Sequence, residues 1–388
     1  MKTICLTTLA SIGLLSIVSR VRADDLRVLD ASQAQKDQKS DVLWYDIRGL
    51  HIEGRGWDDT ASFYDRLPRK AEGVVRPPVW TLSHHSAGIC TRFITDASEI
   101  RARWTLTSSR LAMPHMPATG VSGLDLYVRT ERGWRWLAVG FPTAATNSVR
   151  LAGGLPPGKR EYLLYLPLYN GVTRVEIGVA SQSVVAQGPQ YPESHRKPIV
   201  FWGTSITQGG CASRPGMVHT AILGRRFQRP VINLGFSGNG RLEPEVARLI
   251  AQLDAAVFVL DCLPNLNGQQ VTKRIGPVIE ILRAAHPRTP ILLVEDRTYS
   301  DSFLVSSRRV RNQGNRQALS RAFDKLTAQG VPGLHYLKGA GLLGADGEDT
   351  VDGSHPTDLG FLRQAAAFQT ALTPLLADAA SGPAKTGR

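Results

Sequence analysis

Four short stretches of this chain hold residue types that could perform group transfer. Ser205 lies in Gly203-Thr204-Ser205-Ile206-Thr207-Gln208-Gly209-Gly210, directly after the apolar run Ile199 to Trp202. A serine at a strand-to-helix turn has an exposed hydroxyl, and its own N–H is free to face an anion. Far along the chain, Asp352-Gly353-Ser354-His355-Pro356 places a carboxylate just before an imidazole. Acyl transfer by serine needs a base within hydrogen-bond reach, and the base needs an orienting carboxylate, so one D-x-x-H loop can supply both. Between them, Asn233 to Gly240 (NLGFSGNG) has glycines that permit close backbone approach and expose N–H groups. Cys262-Leu263-Pro264-Asn265-Leu266 offers a side-chain amide. Each stretch alone is more often a turn than a site, and any one of nine histidines is by default a surface residue. A glycine-rich loop could also cradle phosphate, but neither G-x-x-x-x-G-K-[ST] nor G-x-G-x-x-G occurs here. Four loops in chain order, each filling one required role, make Ser205, His355 and Asp352 a candidate nucleophile, base and orienting acid. Asp346 and Asp349 are the next carboxylates for that last role.

These loops need a scaffold that brings them to one edge. From residue 199 onward, short apolar runs alternate with amphipathic helical stretches. Ile199 to Trp202, Val231 to Leu234, Ala256 to Asp261, Ile291 to Glu295 and Leu334 to Leu337 are predicted strands. His219 to Phe227, Pro244 to Leu253, Val271 to Ala285, Arg308 to Gln329 and Gly360 to Ala377 are predicted helices. This rhythm specifies an α/β domain, residues 195–380, with a parallel sheet covered by helices on both faces. In such a sheet ligands bind beyond the carboxyl ends of the strands, where the first three of these loops fall, with Asp352 to Pro356 near the C-terminus. The preceding half, residues 41–190, has period two instead. Ile100 to Leu106 alternates, Tyr162 to Leu166 is nearly continuous, Val172 to Ile177 alternates again, and turn residues separate the runs. Many short strands of this kind predict a β-sandwich or jelly-roll domain. The linker 187–197 is short, so the β domain is expected to shape the site.

With these residues in view, the chain resembles the SGNH/GDSL hydrolases. GTSITQGG is similar to their G-D-S serine block, with Thr204 where the aspartate stands; that side chain has no covalent role. The resemblance implies a flavodoxin-like fold and an oxyanion hole made by the N–H groups of Ser205 and Gly238 with the Asn265 amide. Leu266 replaces the aspartate that commonly follows that asparagine. DGSHP resembles the block that gives Asp352 and His355 their roles. Gly123-Leu124-Asp125-Leu126-Tyr127 matches the G-x-D-L-Y motif of an N-terminal β domain fused to one branch of the family, although Leu124, Leu126 and Val128 also read simply as a strand's inward face. The resemblance implies two-step ester hydrolysis with no cofactor and no metal. A small acyl group on a carbohydrate is the expected substrate. Arylesterase, thioesterase-like or lipolytic activity, or a non-catalytic glycan-binding protein on the same scaffold, are the other readings. No long apolar lid supports a lipase.

Length and composition agree with this. At 388 residues, 42% hydrophobic and 20% charged, the chain suits two globular domains. Lys2 and the apolar stretch Cys5 to Val18, followed by Val21-Arg22-Ala23, predict a signal peptide over residues 1–23, hence a secreted or periplasmic protein without a membrane span in its mature chain. Residues 24–40 are expected to be a flexible lead-in and 381–388 a disordered tail. The net charge of +13 becomes +10 once Lys2, Arg20 and Arg22 leave. The basic residues are scattered and match no nucleic-acid module, so they read as solvated surface, with an acidic polysaccharide as the second reading of a partner. Cys90, Cys211 and Cys262 would remain after cleavage. Cys211 and Cys262 both lie near site loops, and either a bridge or buried free thiols is compatible with that.

Overall fold

The computed structural model describes residues 26–381. The segment expected to be a signal peptide, including Cys5, and the end of the tail lie outside them.

The first half folds into two antiparallel sheets. In one, the strands run in the order Gln35–Lys36, Val42–Asp46, Val172–Ala180, Glu99–Leu106, Thr146–Gly153. In the other the order is Val185–Gln187, Cys90–Thr95, Arg160–Tyr165, Leu124–Thr130, Gly133–Gly140, with His51–Glu53 also paired to Cys90–Thr95. Strand Glu99–Leu106 shows why they stack. Ile100, Ala102, Trp104 and Leu106 are buried, whereas Glu99, Arg101, Arg103 and Thr105 face outward. With two-residue periodicity the apolar set of one sheet meets that of the other, here Phe93, Leu126, Tyr162 and Leu164. Trp104 keeps its one polar atom satisfied by donating Nε1–H to Ser122 O at 3.1 Å.

Two segments depart from the sequence expectation. The lead-in, predicted to be flexible, is paired over much of its described length. Val28 bridges Ala186, Leu29 N donates to Val185 O at 2.8 Å, and Gln35–Lys36 is an edge strand. Its backbone satisfies its polar groups on the exposed edges of both sheets, which composition alone does not reveal. Residues 54–89, expected to continue the alternation, form one α-helix, Pro77–Ser83, and a short 3-10 helix, Arg69–Ala71, in place of strands. Their apolar residues Leu67, Ala71, Val75 and Val79 leave the sandwich and join the core of the second domain.

That second domain is a parallel sheet in the order Val231–Gly235, Ile199–Gly203, Val257–Asp261, Ile291–Val294, Leu334–Leu337. All residues of the middle three strands are buried, as a sheet covered on both faces requires. Alternate residues feed opposite cores. Val200, Trp202, Phe258 and Leu260 pack toward helices Pro244–Ile250, Gly268–Ala285 and Ser306–Ala328. Ile199, Phe201, Val257 and Val259 pack toward His219–Phe227 and Asp358–Ser381. Successive connections run to opposite sides of Ile199–Gly203, so the helices diverge there and open a crevice at the strand ends. No helix among the described residues is long and apolar enough to cross a membrane. Cys90, Cys211 and Cys262 are all free and buried, so the Cys211–Cys262 bridge does not form. Cys262 instead points its thiol at Trp202 O, 3.4 Å away.

Candidate active site

Ser205 opens a single helical turn, Ser205–Gln208, at the end of the first parallel strand. Thr204 is the N-cap, its hydroxyl accepting from Ile206 N at 3.3 Å. Aspartate and threonine are both effective N-caps, so the substitution in the serine block keeps the local structure. As first residue of the turn, Ser205 has an N–H with no intrahelical partner. The turn is tied to the sheet below through Thr207, whose hydroxyl donates to Asp261 Oδ2 at 2.9 Å. Asp261 is in turn held by both terminal nitrogens of the buried Arg297.

The other end of the chain reaches the same point. Ser205 Oγ lies 2.7 Å from His355 Nε2, and His355 Nδ1 lies 2.7 Å from Asp352 Oδ2. The second oxygen of Asp352 accepts from Ser354 N at 3.0 Å and His355 N at 2.8 Å, which fixes the carboxylate on its own loop. Partial burial opposes ionisation of Asp352, but the hydrogen bonds from the His355 backbone and imidazole outweigh it and hold its pKa below the usual carboxylate value. Val351 N donates to His355 O and Thr357 N to Asp349 O, closing the loop upon itself. The two reserve acids are engaged elsewhere. Asp346 forms a bidentate pair with Arg363, and Asp349 accepts from Ser300 Oγ at 2.9 Å.

The two remaining loops converge on the nucleophile turn. A Cβ on Gly240 would sit 1.9 Å from Gly203 O, so only glycine lets the NLGFSGNG loop lie against the start of that turn. Gly238 needs its glycine for a different reason: φ is +68°, while a Cβ there would meet nothing within 4 Å. The Asn265 carboxamide is oriented by hydrogen bonding, its oxygen accepting from Asn239 N at 3.0 Å and Gly240 N at 3.2 Å. Its NH₂ is thereby turned away from that loop and available as a donor.

A second layer, which the sequence reading missed, comes from the β domain. Tyr169 OH donates to Ser205 O at 3.1 Å. Gln208 Nε2 donates to Leu168 O at 3.1 Å and to His85 Nδ1 at 3.0 Å, while its oxygen accepts from Ser237 N at 3.0 Å. Burial, helped by the charges of Arg66 and His84, pushes His85 down to about 4, so its ring is a neutral acceptor here. Arg66 is wholly buried and donates to Leu82 O, His85 O, Asn233 O and Gly235 O. His115 is exposed on the loop after strand Glu99–Leu106, its ring centroid 6.1 Å from that of His355. Asp125 of GLDLY is also an interdomain contact. It accepts from Trp136 Nε1 at 3.0 Å, Arg214 Nη1 at 2.8 Å and Gly216 N at 2.7 Å. Tyr127 OH accepts from the same Arg214 nitrogen, and the Arg225 guanidinium stacks 4.0 Å from the Tyr127 ring centroid. Leu124 and Leu126 do face the sandwich core, as the strand reading expects, while Asp125 and Tyr127 face the hydrolase side.

Comparison with known proteins agrees with this fold. The GDSL-like Lipase/Acylhydrolase family matches residues 196–373, and the family described as the N-terminus of SGNH-hydrolase-type esterases, GxDLY, matches residues 42–185. A crystal structure from Bacteroides ovatus, described as that of a GDSL-like lipase, is 32% identical and superimposes with a TM-score of 0.82 over 87% of this chain and 98% of that one. The salicylyl-acyltransferase SsfX3 of a tetracycline biosynthetic pathway is 19% identical, with a TM-score of 0.68 over 91% of this chain and 98% of its own. The acetyl xylan esterase Est2A from the rumen bacterium Butyrivibrio proteoclasticus is 10% identical, with a TM-score of 0.52 over 86% and 99%. These last two are likenesses of fold alone. No curated protein sequence matches the chain. The parallel sheet with its serine, histidine and acid loops, the β domain with its GLDLY strand, and the Bacteroides relative agree: the chain belongs to the GDSL-like lipase/acylhydrolase family, the SGNH hydrolases, in the branch carrying a GxDLY N-terminal domain.

Proposed function

We propose that this protein is an exported serine esterase that removes a small acyl group, acetyl first among them, from a carbohydrate. The observation that carries the reading is the chain of two 2.7 Å contacts from Ser205 Oγ through His355 to Asp352. In this reading His355 takes the proton as Ser205 attacks the ester carbonyl, and Asp352 holds the imidazole in the productive tautomer and stabilises its cation. The N–H groups of Ser205 and Gly238 and the Asn265 amide meet the oxyanion. Removal of one such donor typically costs about 3 kcal/mol of transition-state stabilisation. His355 then protonates the departing sugar oxygen, and water activated by the same histidine releases the acid. A hydrophilic crevice walled by a β domain suits a sugar better than a long alkyl chain, and the resemblance to Est2A in fold is of the same kind.

The test is to screen the purified protein for acetate released from a panel of acetylated polysaccharides, beside a Ser205→Ala variant. Release by the wild type and a loss of several orders of magnitude in the variant are expected. A folded variant that retains the wild-type rate overturns the assignment of Ser205, and wild type without acetate release from any polymer overturns the carbohydrate substrate.

A further inference from the structure

The outward face of the first β sheet carries a concentration of arginine that the ester chemistry does not use. Strand Glu99–Leu106 presents Arg101, Arg103 and Thr105. Its neighbours contribute Arg150, Thr146 and Ser148 on one side and Arg174 and Glu176 on the other, in register with it. Arg103, Thr105, Thr146, Ser148, Arg174 and Glu176 line an open groove along these strands. Only two carboxylates, Glu99 and Glu176, pair with the four arginines, so the face keeps a positive excess.

The guanidinium groups are also held ready. Arg103 lies 4.5 Å over the Trp44 ring centroid and uses Nε and Nη2 on Glu176 and Gln35. Arg174 spends only Nη2, on the same two residues, and Arg101 only Nε, on Glu99. Arg150 approaches Glu99 only at 3.6 Å. Each guanidinium has five N–H donors in a rigid fork that matches a carboxylate or sulfate, so most donors on this face are uncommitted. Flanking threonine and serine hydroxyls suit sugar hydroxyls. The groove is also close to the site along the chain. Arg174 follows Tyr169, which touches the Ser205 carbonyl, by five residues, a backbone span of at most about 17 Å. The same strand that bears Arg101 and Arg103 runs on into the loop carrying His115.

We infer that this face binds an anionic polysaccharide, its carboxylates or sulfates on Arg103 and Arg174 in the groove and on Arg101 and Arg150 beside it, and guides the chain toward Ser205. The inference rests on the carbohydrate reading of the active site for its ligand class. It accounts for a positive excess on the domain that does no chemistry.

The experiment measures binding without turnover, so a failure of the esterase reading stays separate from a failure of this one. Full-length Ser205→Ala protein is titrated calorimetrically with polygalacturonate, neutral xylan and duplex DNA, and the titrations are repeated after adding Arg150→Gln and Arg174→Gln. Polygalacturonate is expected to bind more tightly than either other polymer, to weaken on raising NaCl, and to lose roughly tenfold in affinity with both arginines replaced. A thermal midpoint within a few degrees of the parent shows that the variant is folded. Arg150→Lys with Arg174→Lys should restore only part of the affinity, because a point charge cannot reproduce the fork. Equal binding of polygalacturonate and neutral xylan, unchanged affinity in the glutamine variant, or DNA bound as tightly as the polyuronate would overturn the proposal.

Discussion

In the proposed mechanism Asp352 acts through one contact, the 2.7 Å approach of its Oδ2 to His355 Nδ1, while its other oxygen accepts from the loop backbone. Asp352→Asn should therefore leave the loop closed and Ser205 in place but present an amide that favours the wrong imidazole tautomer. A fall in turnover on the order of 10⁴-fold is expected. Unchanged turnover in steady-state p-nitrophenyl acetate hydrolysis would remove the carboxylate from the mechanism, and neither Asp346 nor Asp349 could replace it as they are placed. His115 makes a complementary prediction. It faces His355 from the β domain, ring centroids 6.1 Å apart, and in the proposed reaction it would stand beside the alcohol portion of the substrate. His115→Ala should raise KM for an acetylated oligosaccharide about tenfold while leaving kcat nearly the same, as loss of uniform binding does. An equal fall of kcat for that substrate and for p-nitrophenyl acetate would instead make it part of the proton relay. The meeting of Ser205, His355 and Asp352 was legible in the sequence because acyl transfer demands those side chain types together. His115, Tyr169 and His85 were not. They lie 36 or more positions from Ser205 in the chain, and no spacing rule links a residue of one domain to a loop of another.

Among the elements, strand Leu124–Thr130 does two things with its alternation. Leu124 and Leu126 fill the sandwich, and Asp125, fully buried, accepts two hydrogen bonds from the segment Arg214 to Gly216 that follows the nucleophile turn. Burial raises its pKa, and the Arg214 charge and the Gly216 N–H counter that rise. Removing one member of a buried pair leaves the other desolvated and alone, at a cost of about 3–5 kcal/mol. Asp125→Ala should thus lower unfolding free energy by about 3 kcal/mol in urea titrations and reduce esterase activity with it, since Arg214 and Gly216 lie on the chain leaving Ser205. Loss below about 1 kcal/mol would show that the contact is peripheral. The period of this strand was legible beforehand, but the destination of its polar face was not. Segment 54–89 failed for a related reason: Val75 and Val79 fit a half-buried pattern, yet the surface they cover belongs to a sheet more than a hundred residues later. The parallel sheet was read nearly strand for strand, because its buried runs are continuous and bounded by turns.

At the scale of the whole molecule, two buried histidines tie stability to pH. His85 is pushed down to about 4, and burial together with Arg297 holds His219 well below its ordinary value. His219 packs between Phe361, Phe368 and Phe201, and neither ring nitrogen has a hydrogen-bond partner among the described residues. An unfolded histidine takes up a proton below about 6.5, but these two remain neutral when folded, so the unfolded state binds more protons and stability falls as pH drops from there. The slope reaches about 1.4 kcal/mol per pH unit for each histidine and fades for His85 near pH 4. His219→Phe should flatten its share of the slope and raise the thermal midpoint at pH 5 relative to wild type. Parallel Tm–pH curves for the two proteins would refute the account. Arg66 sets a different kind of constraint. Two of its carbonyl partners stand 167 and 169 residues later in the chain. The β half is made first, yet its guanidinium must stay in water until the second parallel strand has been synthesised and docked. Residues 54–89, whose apolar side chains wait for the same sheet, are therefore the stretch most open to proteases and to self-association in a nascent or truncated chain. The two halves are therefore expected to complete their folding together.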